Sequence, residues 1–219
     1  MRIRLMLAIA LMMAALSACA PQSGSGAPST TTPAGPFATW ALGDSQGAPS
    51  NDPARGLAWT QLIGAVGNGA VSMEGAGWTV PGTHSGLTVP QKAQQIISQQ
   101  GAVDLVVMAG VNDLGAGRSV AEMLGGVAAL ETVATAAGVS VLYVGIVPIT
   151  RGAYVAPRDG DRIAFNQALA TQFAGRYVDC SASMTIGQWL NPAFALGAAN
   201  LHLNAAGEQA LAGCIAPSL

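Results

Sequence analysis

Residues 103–113 read Val-Asp-Leu-Val-Val-Met-Ala-Gly-Val-Asn-Asp, a nearly uninterrupted apolar run that ends in a glycine and a polar pair. A strand with one solvated face would alternate apolar and polar residues. A run that is apolar on both faces reads instead as a strand covered on both sides, the usual condition of a parallel sheet flanked by helices. Gly110, Asn112 and Asp113 then fall at the carboxyl end of that strand, which is where open α/β sheets bind ligands.

The same pattern recurs on either side. Phe37 to Leu42 is a candidate first strand, followed by Gly43-Asp44-Ser45. Leu57, Trp59, Leu62, Ile63 and Val66 stand at helical spacing within residues 56–66, Ala70 to Met73 reads as a short second strand, and Pro90 to Gln100 as a helix with a glutamine-rich polar face. Downstream, Ser119 with Glu122 three residues on forms a capping-box pattern, opening a helix that should run to about Ala137 and stop at Gly138. Val139 to Val147 is a further buried strand ended by Pro148, residues 161–173 a helix, Tyr177 to Asp179 a short strand, and a last helix should run from near Asn204 to Cys214. Five strands alternating with helices predict one domain: an α/β protein, a three-layer α/β/α sandwich with a central five-stranded parallel sheet and right-handed crossovers.

Charge excludes one class of partner. The chain of 219 residues has 9 Lys and Arg against 11 Asp and Glu, and its only lysine is Lys92. Nothing there suits a phosphate backbone, so no nucleic-acid partner is expected. No His/Cys cluster has ligand spacing, so no metal is expected either.

The first residues speak to destination. Arg2 and Arg4 precede an apolar run from Leu5 to Leu16, which is short for a membrane span and has the length of a signal-peptide core. It ends in Leu16-Ser17-Ala18-Cys19, which resembles a bacterial lipobox. The resemblance implies a signal peptide over residues 1–18, cleavage before Cys19, lipidation of its sulfur and a place in the cell envelope; an ordinary signal peptide with an incidental cysteine is the alternative. Residues 19–36, rich in Pro, Ser, Thr, Gly and Ala, read as a tether that cannot bury enough apolar surface to order itself, leaving the domain as residues 37–219. In an exported protein the two remaining cysteines, Cys180 and Cys214, are a disulfide candidate, with two buried thiols as the alternative.

Three segments carry a more specific signal. Ala41-Leu42-Gly43-Asp44-Ser45 resembles the first block of the SGNH (GDSL-type) hydrolases, Gly110-Val111-Asn112-Asp113 their third, and His202-Leu203-Asn204-Ala205-Ala206-Gly207 their last. Ala58-Trp59-Thr60-Gln61-Leu62 resembles the helix after the first block, and Asn166 sits where the family often has asparagine. The resemblance implies a flavodoxin-like SGNH hydrolase fold and a serine esterase with no cofactor. Ser45 would be the nucleophile and His202 its base. The oxyanion hole would comprise the Ser45 N–H, the Asn112 amide and a glycine N–H from the second block, best matched by Gly77 with Gly82 as fallback. A serine hydroxyl needs such a base, and the developing oxyanion needs such donors. Asp113 reads as structural, and His84 as a loop residue.

One position departs from the family. The aspartate expected three residues before the histidine is Ala199. A Ser–His dyad, a remote carboxylate such as Asp179 or Glu208, or a degenerate envelope protein that only binds glycan or lipid are the readings this leaves. Tyr154, Trp78, Trp189 and Phe194 are candidates to line the site or simply to pack under loops. The expected substrate is a small-molecule, glycan or lipid ester, with transfer to another alcohol using the same groups.

Overall fold

A computed structural model describes residues 39–64, 75–100 and 104–219. The leader, Cys19, the tether and the expected strand at 70–73 lie outside the described residues.

The described strands β1 (Thr39–Gly43), β2 (Asp104–Met108), β3 (Val141–Val144) and β4 (Tyr177–Val178) form a parallel sheet in the order β1-β2-β3-β4. Their register aligns Leu42 with Val107 and Gly43 with Met108. The described α-helices in chain order are α1 (Trp59–Leu62), α2 (Val89–Gln100), α3 (Val111–Gly115), α4 (Val120–Ala137), α5 (Asp159–Gln172), α6 (Ser181–Met184) and α7 (Ala205–Ile215).

Successive strand residues point to opposite faces, and the core divides accordingly. Leu42, Leu105, Val107, Val141 and Tyr143 meet Val89, Ala93 and Ile96 of α2, Met123, Val127 and Leu130 of α4, and Phe165 and Leu169 of α5. Ala41, Val106, Met108 and Val144 meet Trp59 of α1, Met184 of α6 and Leu211, Ala212 and Ile215 of α7. Helices on both faces make the three-layer sandwich and explain why the strands read as continuous apolar runs.

Local chemistry sets the element ends. In α4 the Ser119 Oγ accepts from the Glu122 N–H at 3.2 Å and the Glu122 carboxylate accepts from the Ser119 N–H at 2.8 Å, while Gly138 closes the helix at φ 68°. Among the described residues α4 alone is long and apolar enough to cross a membrane, but its inner face is core. The helix expected over 56–66 is shorter. Glu208 accepts from the Trp59 N–H and Gln61 from the Ala58 N–H, starting α1 at Trp59 and leaving Leu57 exposed; Gly64 at φ 70° follows its end.

The strand expected over 139–147 is also shorter. Past Val144 the Asn166 side chain takes the neighbouring strand's place, accepting from the Ile146 N–H and donating to its carbonyl, each at 2.9 Å. A hairpin that the sequence reading did not anticipate, β5 (Thr185–Ile186) and β6 (Trp189–Leu190), turns at Gly187 and is fastened by the Leu190 N–H donating to Ile149 O. Cys180, just before α6, is joined by a disulfide to Cys214 in α7, with Cα atoms 5.9 Å apart.

Candidate active site

β1 delivers Ser45 to the carboxyl edge of the sheet through a tight turn. Gly43 lies so close to β2 that a Cβ there would stand 2.5 Å from the Met108 carbonyl oxygen. Asp44 is buried, and its Oδ1 accepts from the Gln46 N–H at 2.9 Å, which folds the chain back around Ser45. The Ser45 Oγ lies 3.0 Å from Nε2 of His202, 157 residues further along the chain. His202 ends a loop over residues 197–202 that is tied down along its length. Thr150 donates to Asn200 O at 2.9 Å, Gln46 Nε2 donates to Leu201 O at 3.0 Å, and the Asn200 side chain accepts from the His202 N–H at 2.9 Å. Asn204 then caps α7, accepting from the Gly207 N–H and donating to Ala193 O and Ala195 O.

Asn112 sits in the first turn of α3. Gly110 leads into it at φ 133°, where a Cβ would stand 2.6 Å from the Ile146 side chain, so only glycine fits. The Asn112 amide donates one hydrogen to Ala76 O at 2.7 Å, which brings the 75–80 segment to the same edge. At Gly77 a Cβ would stand 2.0 Å from the Asp113 side chain. The Asp113 carboxylate fills that space, accepting from the Trp78 N–H, the Thr79 N–H and the Thr79 hydroxyl at 2.7–2.8 Å. The Gly77 N–H donates to Val80 O at 2.8 Å, and that of Gly82 to Leu87 O at 2.9 Å. In this conformation both candidate glycines have their N–H groups engaged. Asp113 is thus a clasp between α3 and the second block, in keeping with a structural part.

A family profile for GDSL-like lipases and acylhydrolases matches residues 41–210. The chain belongs to the GDSL-like lipase/acylhydrolase family. No curated protein matches it. Solved structures match in fold at low identity. A lipolytic protein of the G-D-S-L family from Veillonella parvula is 15% identical with a TM-score of 0.61, over 81% of this chain and 94% of that one. An aryl esterase of M. smegmatis is 14% identical, with a TM-score of 0.56 over 82% and 96%. A carbohydrate esterase family 3 protein from Talaromyces cellulolyticus is 20% identical, with a TM-score of 0.52 over 82% and 94%.

The GDSL-family frame sharpens the departures. Ala199 is exposed in the loop before His202. Neither remote carboxylate is idle. Glu208 is wholly buried and accepts from Arg55 Nε at 3.1 Å, Arg55 Nη2 at 3.0 Å and the Trp59 N–H at 2.8 Å. Asp179 is exposed and accepts from the Ser181 N–H. Burial pushes the Asp44 carboxyl up to about 6, with the nearby N–H groups of Gln46, Val111 and Gly110 offsetting part of the rise.

Of the candidate lining aromatics, Trp78 is not a loop residue over the site. It is 2% exposed, donates from Nε1 to Ala109 O and packs against Tyr143 and Phe165 in the core. Phe194 is half-buried against the α7 side. Tyr154 is exposed and borders a shallow depression with residues 197–202, and Trp189 lines a neighbouring cavity. His84 lies exposed in a turn. Sequence reasoning missed Gln46 and Arg55. Arg55 Nη2 donates to Gln46 O at 2.6 Å, so these two and Glu208 join the turn after Ser45 to the helix after His202. The only hint the sequence held was the scarcity of charge, with 9 Lys and Arg in 219 residues.

Proposed function

We propose that the chain is a serine esterase that hydrolyses carboxylic O-acyl esters through an acyl-Ser45 intermediate. The approach of Ser45 Oγ to His202 Nε2, 3.0 Å, carries this reading. Nε2 takes the hydroxyl proton as Oγ bonds to the carbonyl carbon, and then gives that proton to the leaving alcohol oxygen. Water repeats the sequence on the acyl-enzyme. Two donors are at hand for the oxyanion: the Ser45 N–H, which has no intramolecular acceptor among the described residues, and the second amide hydrogen of Asn112. The Gly77 N–H becomes the third when the substrate oxygen displaces the Val80 carbonyl. Each such donor contributes roughly 3 kcal/mol to transition-state stabilisation. With Ala199 in place of aspartate, the bonds from Thr150, Gln46 and Asn200 hold the His202 loop as a dyad support.

The engaged Gly77 N–H and Ala199 together favour one second reading, a catalytically degenerate envelope protein that binds glycan or lipid. Hydrolysis of short and medium p-nitrophenyl esters by the full chain, beside Ser45→Ala, separates the two. A loss of about a thousandfold or more in Ser45→Ala is expected; activity no higher than that of the variant at every chain length selects the binder.

We further propose that the protein is exported and held in the envelope by a lipid on Cys19. The Leu16-Ser17-Ala18-Cys19 sequence supports this. Cys19→Ser should abolish incorporation of radiolabelled palmitate in a bacterial host; undiminished labelling would sink the anchor.

A further inference from the structure

The loop over residues 197–202 separates two hollows. One is the shallow depression that includes His202 and Tyr154; the other is a cavity of about 340 Å³. Gly197 and Ala198 line both, so this loop is the wall that the two hollows share. The cavity's opposite wall is the unanticipated hairpin, with Ile186, Trp189 and Leu190, followed by Pro192. Among the described residues that line it, Arg151 alone is charged, and it is exposed; the rest of the lining is apolar apart from Thr150. Its volume lies at the small end of ligand sites, about 300–1,000 Å³. Ile186 is 63% exposed, an isoleucine held in solvent at the mouth of an apolar hollow.

The proposed reaction gives this cavity a direction. His202 protonates the leaving alcohol, so the alcohol oxygen must come within reach of Nε2, on the loop whose residues 197 and 198 also wall the cavity. The acyl half stays on Ser45 with its carbonyl oxygen towards Asn112. We infer that the cavity receives an apolar group on the alcohol half of the substrate, which makes the preferred substrates acyl esters of alcohols bearing a medium alkyl or aromatic group. This rests on the esterase reading above. Ile186, Trp189 and Leu190 are its specificity-determining residues.

An isomeric pair tests it. Hexyl acetate and ethyl hexanoate have the same formula and differ only in which half carries the long chain, so bulk hydrophobicity cancels. With ethyl acetate as reference, kcat/KM for hexyl acetate should exceed that for ethyl hexanoate by about tenfold, the scale set by apolar pocket contacts. Ile186→Asp, which puts a charge at the mouth, and Ala198→Phe, which fills the hollow, should each bring that ratio towards one. Circular dichroism checks that both variants are folded. Equal rates for the isomers, a preference for ethyl hexanoate, or a ratio indifferent to both variants would overturn the cavity assignment while Ser45-dependent hydrolysis of ethyl acetate left the esterase reading standing. Failure to hydrolyse any of the three esters would sink both.

Discussion

Asp44 puts a carboxyl group where its charge is ill accommodated. Its Oδ2 makes no hydrogen bond, and it lies against the proposed nucleophile in a turn with no solvent access. The unfolded chain releases this proton at the ordinary 3.8, the folded protein at about 6. Folding therefore takes up a proton between those values. The associated stability is complete below about pH 4 and is lost as pH rises through 6, by up to about 3 kcal/mol. Asp44→Asn has no charge to bury. Urea denaturation at pH 4.5 and 8 should show the wild type losing ground to the variant by about 2 kcal/mol at the higher pH, part of the effect being already lost at pH 4.5; a constant difference would mean that Asp44 is ionised throughout. Ser45, Asn112 and His202 were legible in the sequence as candidates because each follows a segment that reads as a strand or precedes one that reads as a helix. Gln46 was not, since nothing in a sequence says that a side chain next to the serine reaches the carbonyl next to the histidine.

Elements were legible where their ends are local and obscure where the ends depend on distant partners. The capping box at Ser119 and the glycine at 138 lie within the sequence of α4 itself. The start of α1 depends on Glu208, and the end of β3 on Asn166. Periodicity does not see such partners. The β5–β6 hairpin did carry a local signal, Gly187 at the first position of a two-residue turn, but strands of two residues are too short to show alternation. Asn166 permits a direct test of the substitution of side chain for strand. In Asn166→Ala the Ile146 carbonyl keeps the bond from Arg162 Nη1 at 3.2 Å, whereas the buried Ile146 N–H is left without its acceptor. A loss of about 2 kcal/mol is expected from chemical denaturation; a loss below 0.5 kcal/mol or so would mean that this N–H finds another acceptor.

At the scale of the molecule, the disulfide and the Arg55–Glu208 pair secure α7 near its two ends. Cys180 and Cys214 are 34 residues apart, and a closed loop of that length restricts the unfolded chain by about 4 kcal/mol in the entropic account. The double variant Cys180→Ser/Cys214→Ser should be less stable than the oxidised protein by about 2–4 kcal/mol, and a reductant should bring the wild type down to the variant. A reductant without effect would show that the bond is absent in solution. Near the start of α7, Gln46, Arg55 and Glu208 form the tie that keeps the serine turn beside the histidine loop. Gln46 directly follows the Gly43-Asp44-Ser45 block, and Arg55 and Glu208 lie outside the three blocks quoted above. A relative that keeps serine, asparagine and histidine but loses those bonds is expected to hold its serine and histidine apart, and a comparison of esterase rates between such relatives checks it. Family membership is recorded in the blocks and the closeness of serine to histidine in the tie as well, so a survey of this fold has to read both.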